Sequence, residues 1–293
     1  MTQFSTFYSG GKPYGKTLHP IFAASDDIRL SWNYETTALR NEVQLSFCIT
    51  VCDIHGQAVY DSGLIASDAM HYTIPANTLH PGALYHWRIT AVLSSGSLTS
   101  DAMMLETAID DLDRAKWIIC GIDDEPAAPV FCRRFATDRE VLRARLYVTG
   151  LGLIDCKLNG MPLSDAYLTP PNTRYEKQVY FETLDLTAAL CDGENTLTVQ
   201  LGGGYNMDYS KWGYRYDTPK GLRAAVILTY CDGTTARIDS DGTWEWQDSP
   251  ITENGLYLGE TYDAGRRFDT WHPAVVSENI APTGTLRCNE MPP

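Results

Sequence analysis

Six stretches of the chain alternate apolar and polar residues with a period of two: IRLSWNYE (28–35), VQLSFCITVCD (43–53), YHWRITAVL (85–93), RARLYVTGLG (143–152), NTLTVQLG (195–202) and AAVILTY (224–230). Successive side chains of an extended strand face opposite sides, so this alternation predicts half-buried strands. Short turn signals separate them, among them His55-Gly56, Asn159-Gly160, Asp192-Gly193, Asp232-Gly233 and Asp241-Gly242. Asx-Gly pairs tolerate the positive φ of tight turns, which predicts antiparallel hairpins. A sustained 3.6-residue apolar period is almost absent. Only LDLTAALCDG (184–193) reads as a helical turn, with Asp185-Leu186-Thr187 as its N-cap feature. The chain is predicted to be all-β.

The pattern divides the chain. Residues 26–110 have the layout of a small seven-strand sandwich, with Trp32 in an early strand. In LHPGALYHWRITAV (79–92), Tyr85 sits where a hydroxyl can turn back to the backbone at a strand corner, with Trp87 two residues on. This segment resembles a fibronectin type III, immunoglobulin-like domain, which makes Tyr85 and Trp87 core or corner residues. Residues 1–25 read as an N-terminal extension. From KWIIC (116–120) the β pattern restarts after the boundary at 111. It passes an acidic, proline-containing loop (GIDDEPAAP, 121–129) and continues to about residue 275. Residues 276–293, polar and proline-containing, read as a linker toward a downstream domain.

Charge narrows the function. With 23 basic against 37 acidic residues and a net charge of −14, the chain lacks the cationic surface that phosphate neutralisation requires, so nucleic acid is excluded as a partner. An anionic membrane surface is disfavoured for the same reason. No apolar stretch approaches the length of a membrane span, and the first twenty residues have neither a basic nor an apolar signal region. The eight cysteines form no CxxC pair and flank no histidine at zinc-site spacing. They read as reduced thiols of a cytoplasmic protein. Cys48 and Cys52 share a strand face but lie too far apart along it for a disulfide.

Five phrases in the second region occur together and in order: ARLYVTGLGLIDCKLNG (144–160), LTPPNTRYEKQVYFETLDLT (168–187), GEN (193–195), LGGGY (201–205) and GLYLGETYDAG (255–265). Together they resemble the N-terminal β-sandwich domain of bacterial α-L-rhamnosidases, a family in which a fibronectin-like domain commonly comes first. Two departures stand out. The family usually has Gly-Asp-Gly-Trp where this chain has Gly202-Gly203-Gly204-Tyr205. It usually closes GETYDA with Arg where this chain has Gly265 before Arg266.

The resemblance implies two antiparallel β-sandwiches, the second jelly-roll-like and of carbohydrate-binding-module type. It also implies an enzyme whose general acid and base lie in a helical barrel well downstream, flanking the bond with two carboxyl groups roughly 6.5–9.5 Å apart. No catalytic residue is therefore assigned, and the chain is expected to be an inactive fragment when isolated. The implied partners are rhamnose-containing glycans or glycosides and a downstream catalytic domain of the same chain. No cofactor is required on this reading.

LGGGYNMDYSKWGYRYD (201–217) supplies the main binding candidates. Its glycines lack the GxxxxGK[ST] context of a phosphate loop and sit in an all-β region, so neither a Walker loop nor a dinucleotide fingerprint fits. Tyr205, Trp212 and Tyr214 offer flat faces for sugar C–H surfaces, and Asn206 and Asp208 could hydrogen-bond hydroxyls. The plainer reading packs these aromatics on their own sandwich or against another domain. Asn159, with Gly160, is the strongest hairpin turn and, by the resemblance, a candidate edge of a sugar or calcium site. Glu260 and Asp263 are candidate calcium ligands on an oxygen-rich loop, against the alternative of ion pairs with Arg266 or Arg267. The competing function is a purely structural interdomain module that binds no sugar. A free-standing binding or adhesion protein is a third option.

Overall fold

In a computed structural model, which describes residues 3–9, 12–13, 21–22, 28–35, 42–204, 219–256, 259–280 and 282–289, each alternating stretch is a strand. Ile28–Tyr34 buries Ile28, Leu30, Trp32 and Tyr34 while Arg29 and Asn33 face outward. Leu84–Leu93 buries Tyr85, Trp87, Ile89, Ala91 and Leu93 in the same way. The chain divides into two units, one within residues 1–110 and one spanning Asp111–Asn289.

The first unit is a two-sheet sandwich. One sheet runs Lys12–Pro13, Phe4–Ser9, Ile28–Tyr34, His71–Ile74. The other runs Ile21–Phe22, Met103–Thr107, Leu84–Leu93, Gln44–Asp53, Ala58–Asp61, with Gly96–Thr99 paired to Leu84–Leu93. The segment expected as an N-terminal extension thus contributes strands. Phe4–Ser9 pairs antiparallel with Ile28–Tyr34, and its aromatics explain why it stays there. Phe4 stacks on Tyr34 at 5.1 Å, and Phe7 meets Trp87 edge-on at 5.9 Å. Each large apolar side chain taken out of water in this way contributes about 2–3 kcal/mol. The corner tyrosine behaves as its spacing predicts, for the Tyr85 hydroxyl accepts the His80 backbone N–H at 2.9 Å.

One polar residue organises the edge of this core. Gln44 is buried, and its Oε1 accepts from Trp32 Nε1 (3.0 Å) and from the Tyr34 hydroxyl (2.6 Å). Its Nε2 donates to the carbonyls of Ser67 and Ala69 at 3.0 and 2.9 Å. Burial pushes the Tyr34 phenol up to about 12, outweighing the downward effect of Trp32, so the hydroxyl stays a donor.

The second unit packs two larger sheets. The first is ordered Val275–Val276, Ile118–Ile119, Leu222–Tyr230, Val141–Gly150, Gln178–Asp185, Thr285–Cys288, with Thr235–Asp239 on Leu222–Tyr230. The second is ordered Met161–Pro162, Leu153–Leu158, Gly193–Gly202, Val130–Thr137, Glu245–Gln247, His272–Pro273. A separate ribbon joins Ile251–Gly255 to Gly259–Tyr262. The core between the sheets is built on Phe131, Leu146, Val148, Leu158, Val199 and Trp244. The stretch expected as a linker carries Thr285–Cys288, which pairs parallel with Gln178–Asp185. Asn289 completes that edge, donating its side-chain N–H to Glu182 at 2.7 Å. A second parallel pairing, Ile21–Phe22 with Met103–Thr107, lies in the first unit. Both arise where a terminal strand is added to an existing edge.

The helical turn expected at 184–193 is a single 3₁₀ turn, Thr187–Ala189. Asp185 Oδ1 accepts the Thr187 N–H at 2.8 Å, and it also meets the buried Arg145 guanidinium at 2.6 Å. The N-cap feature is therefore half of a buried ion pair as well.

Two substitutions test this packing. Gln44→Leu orphans the Trp32 N–H and the Tyr34 O–H, and an orphaned buried group costs about 1–3 kcal/mol. The urea transition of the first unit is expected to lose about 3 kcal/mol, and a loss under about 1 kcal/mol would show that water replaces the amide. Tyr34 also predicts an alkaline limit. Its folded pKa lies above the unfolded value, so its contribution is whole below about pH 10 and falls away as pH rises toward 12. Tyr34→Phe should flatten that decline in denaturation midpoints measured from pH 8 to 12; an unchanged slope would remove Tyr34 from the account.

Candidate functional site

Asn159 adopts φ 53° and Gly160 φ 79°, the left-handed pair a type I′ hairpin turn needs between Leu153–Leu158 and Met161–Pro162. The Asn159 side chain is spent inside the protein. Nδ2 donates to the Ala189 carbonyl (3.0 Å) and to Asn195 Oδ1 (2.9 Å), and Oδ1 accepts the Thr196 N–H (2.9 Å). Asn195, fully buried, holds the Cys191–Gly193 turn through the Cys191 N–H and the Cys191 and Gly193 carbonyls. Two asparagines far apart in sequence thus lock a hairpin to a loop, leaving no side-chain N–H of Asn159 for a sugar.

The glycine run has an internal explanation too. A Cβ on Gly152, whose φ is +127°, would stand 2.1 Å from the Gly202 carbonyl oxygen and 3.2 Å from that of Gly203. A Cβ on Gly204 would in turn stand 3.0 Å from the Leu153 side chain, and one on Gly202 would stand 3.2 Å from Asn254 Oδ1, so the run closes on neighbours within the same sandwich. The Gly203 N–H donates to Asn254 Oδ1 at 2.9 Å, which ties the run to the ribbon. Tyr205, Asn206, Asp208, Trp212 and Tyr214 lie outside the described residues.

Glu260 and Asp263 fall on the ribbon and on the turn that follows it. Glu260 is exposed on the strand Gly259–Tyr262, in register with Asn254. Asp263 Oδ1 accepts the Gly265 N–H at 2.8 Å in a local turn. Among the described residues, no three His, Cys, Asp or Glu side chains stand close enough together to hold a metal. The arginines proposed as ion partners go elsewhere. Arg266 pairs with Asp248 at 2.7 Å, and Arg267 donates to the Ala264 and Arg266 carbonyls.

That Arg266–Asp248 pair belongs to a cleft in the second unit, of about 470 Å³, between the acidic loop 122–127 and residues 246–252 and 266–272. Its volume lies in the range of small-molecule sites. The acidic loop is fixed from behind: Lys220, buried, gives its backbone N–H to Glu125 Oε2 (2.9 Å) and its Nζ to the Pro126 carbonyl (3.0 Å). Lys220 Nζ also stands 3.5 Å from Glu125 Oε2, a buried ion pair. On the opposite wall Trp246 is only 5% exposed and His272 lies against its ring at 4.9 Å. The Arg266 guanidinium stands over Phe268 at 5.0 Å. The Trp246 indole N–H is enclosed in the core and has no acceptor among the described residues, a state that costs about 1–3 kcal/mol. Cys120, at the root of the acidic loop, is inert, since burial and then the Glu125 charge push its thiol well up.

The sequence reading passed over this cleft. GRRFDTWHP (265–273) packs two arginines, two aromatics, an aspartate and a histidine into nine residues, a density that was its one visible signal. Its partners Trp246, Asp248 and the acidic loop lie 20 to 150 residues away, roughly, so only folding joins them.

Substituting at the glycine contact tests the site's scaffold. Gly152→Ala is expected to destabilise the second unit by more than about 3 kcal/mol in urea unfolding, because a Cβ would meet backbone rather than a movable side chain. A loss under about 1 kcal/mol would mean that the two loops separate freely.

Comparison with known proteins follows the two units. The family model described as Alpha-L-rhamnosidase N-terminal domain matches residues 139–291, and the model described as Rha78A-like, N-terminal immunoglobulin domain matches residues 15–111. An α-L-rhamnosidase of Formosa agariphila is 34% identical over 152 residues, covering 50% of this chain and 16% of the relative. One from Alteromonas sp. is 28% identical over 286 residues, covering 87% of this chain and 30% of the relative. The chain thus spans less than a third of either relative's length. The α-L-rhamnosidase structure from Dictyoglumus thermophilum superposes with a TM-score of 0.81 at 26% identity, over 98% of this chain and 35% of that one. The Streptomyces avermitilis α-L-rhamnosidase complexed with L-rhamnose shares the fold at a TM-score of 0.83 and 18% identity, over 98% of this chain and 46% of that one. With one family model spanning more than half of its residues and a second covering its first unit, the chain belongs to the α-L-rhamnosidase N-terminal domain family.

Proposed function

We propose that these two sandwiches are the non-catalytic front part of an α-L-rhamnosidase, serving in recognition of rhamnose-bearing glycans and in packing against a catalytic domain further along the same polypeptide. The observation that carries this reading is the match of both units, in order, to domains of α-L-rhamnosidases of which the chain spans only a minor share. The parent reaction on this reading is hydrolysis of terminal α-L-rhamnosyl bonds, with one carboxyl group as general acid and a carboxylate activating water.

The chemistry of the cleft is consistent with a non-catalytic role. A glycosidase needs two carboxyl groups free to face the scissile bond. Glu125 and Asp248 are instead each engaged in an ion pair, with Lys220 and Arg266.

One observation favours the alternative of a purely structural module. Tyr167 and Leu168, in the loop before Pro170, are 91% and 63% exposed. Large apolar side chains left that open suit a surface that another domain covers.

The chain alone is expected to release no p-nitrophenol from p-nitrophenyl α-L-rhamnoside, whereas the polypeptide carrying a downstream catalytic domain should hydrolyse it. Turnover by residues 1–293 that disappears in Asp248→Asn would place catalysis in this cleft and overturn the non-catalytic reading.

A further inference from the structure

We infer that the Asn254–Gly255 peptide is a modification site, at which water converts the asparagine to aspartate and isoaspartate, whereas the fold holds the same dipeptide at Asn159–Gly160 shut. The inference stands apart from the functional reading above and rests on the bonding of the two asparagines.

The chain contains the Asn-Gly dipeptide twice, at 159–160 and at 254–255. In such a pair the glycine nitrogen can reach the asparagine Cγ, because no Cβ on the glycine blocks the approach. The N–Cγ bond forms, the Cγ–Nδ2 bond breaks, and the glycine N–H proton leaves with Nδ2 as ammonia. The cyclic imide that results is opened by water at either carbonyl. One opening gives aspartate and the other isoaspartate, and both restore the glycine N–H. Water is the only co-reactant, and nothing is oxidised or reduced.

Exposure does not separate the two sites, since both asparagines are half-buried. Nor does the carbonyl. Oδ1 of Asn159 accepts the Thr196 N–H and Oδ1 of Asn254 accepts the Gly203 N–H, each at 2.9 Å. Such a donor stabilises the oxyanion that develops as Cγ is attacked. The leaving nitrogen is where they differ. Asn159 Nδ2 donates to the Ala189 carbonyl and to Asn195 Oδ1, and the Asn159 backbone N–H donates to the Thr196 carbonyl. Turning this amide toward the Gly160 nitrogen breaks all of its side-chain bonds together. Asn254 Nδ2 has no acceptor among the described residues, so only the Gly203 contact holds the amide and the nitrogen is free to depart.

The backbones differ in the same direction. Asn159 turns between two strands of a six-stranded sheet. Asn254 lies in the ribbon Ile251–Gly255 with Gly259–Tyr262, which no third strand extends. A two-stranded pair is marginal by itself, and local opening gives the peptide the freedom that ring closure needs. Aspartate at 254 keeps an acceptor for the Gly203 N–H and adds a negative charge. Isoaspartate adds a methylene to the main chain of the ribbon, beside the anchor of the glycine run.

The test incubates the whole chain in mildly alkaline buffer made with heavy-oxygen water and follows both sites by peptide mapping, with isoaspartate read by protein isoaspartyl methyltransferase. A parallel sample in urea gives the rates without the fold. In the folded chain the Asn254 peptide is expected to take up one heavy oxygen at least about tenfold faster than the Asn159 peptide, the two additional Nδ2 hydrogen bonds setting the ratio. In urea the two rates should converge. Asn254→Gln should abolish the conversion at 254, and Asn195→Ala should speed conversion at 159 toward its rate in urea. Circular dichroism identifies a variant that has failed to fold, and the comparison of folded and urea samples of the unaltered chain then decides alone. Equal rates at the two sites in the folded chain, or an Asn254 that stays intact while the urea sample converts, overturns the inference. An unchanged rate at 159 in folded Asn195→Ala overturns the account of its protection.

Discussion

Both units depend on the registration of long antiparallel strands whose side chains alternate between core and outside. In Leu84–Leu93 the inward set is Tyr85, Trp87, Ile89, Ala91 and Leu93. A slip of one residue against Gln44–Asp53 would bring His86, Arg88 and Thr90 inward and send the fully buried Trp87, Ile89 and Ala91 into water. Burial of each large side chain is a matter of about 2–3 kcal/mol, comparable to a sizeable share of a domain's net stability. The pairing therefore has one register, and the Tyr85 corner and the Gln44 network are built on the geometry it sets. In the second unit the same constraint aligns Gly193–Gly202 with Val130–Thr137 over eight consecutive pairs, which holds Leu197, Val199 and Leu201 in the core.

This constraint also decides what could be read from sequence. Alternation is local, so the strands, the all-β class and the Asn159-Gly160 turn were visible in the bare chain. The Tyr85 corner was visible because its partner, His80, is five residues away. Features that join distant residues were not. Nothing near Gln44 announces that it will serve Trp32, Tyr34, Ser67 and Ala69 at once. The terminal strands Phe4–Ser9 and Thr285–Cys288 were missed because each is short and takes its place only beside an existing edge.

The glycine run shows a subtler limit. Three successive glycines leave backbone open to close approach, but the run itself does not say what approaches. The structure supplies Gly152, so a pattern suggestive of ligand binding is satisfied by the protein itself. The cleft is the reverse case. Its residues carry no motif, yet folding gathers an ion pair, an acidic loop and two aromatic residues around one cleft. Strand chemistry is written along the chain, whereas loop chemistry is written across it.

The parallel pairing of Thr285–Cys288 with Gln178–Asp185 has a consequence for solubility. It ends the sheet on a four-residue strand where the eight-residue Gln178–Asp185 would otherwise be the edge. A sheet edge offers unpaired N–H and C=O groups to any other extended chain, and a short edge offers fewer of them. The last strand thus serves as a guard against edge-to-edge aggregation as well as a part of the fold.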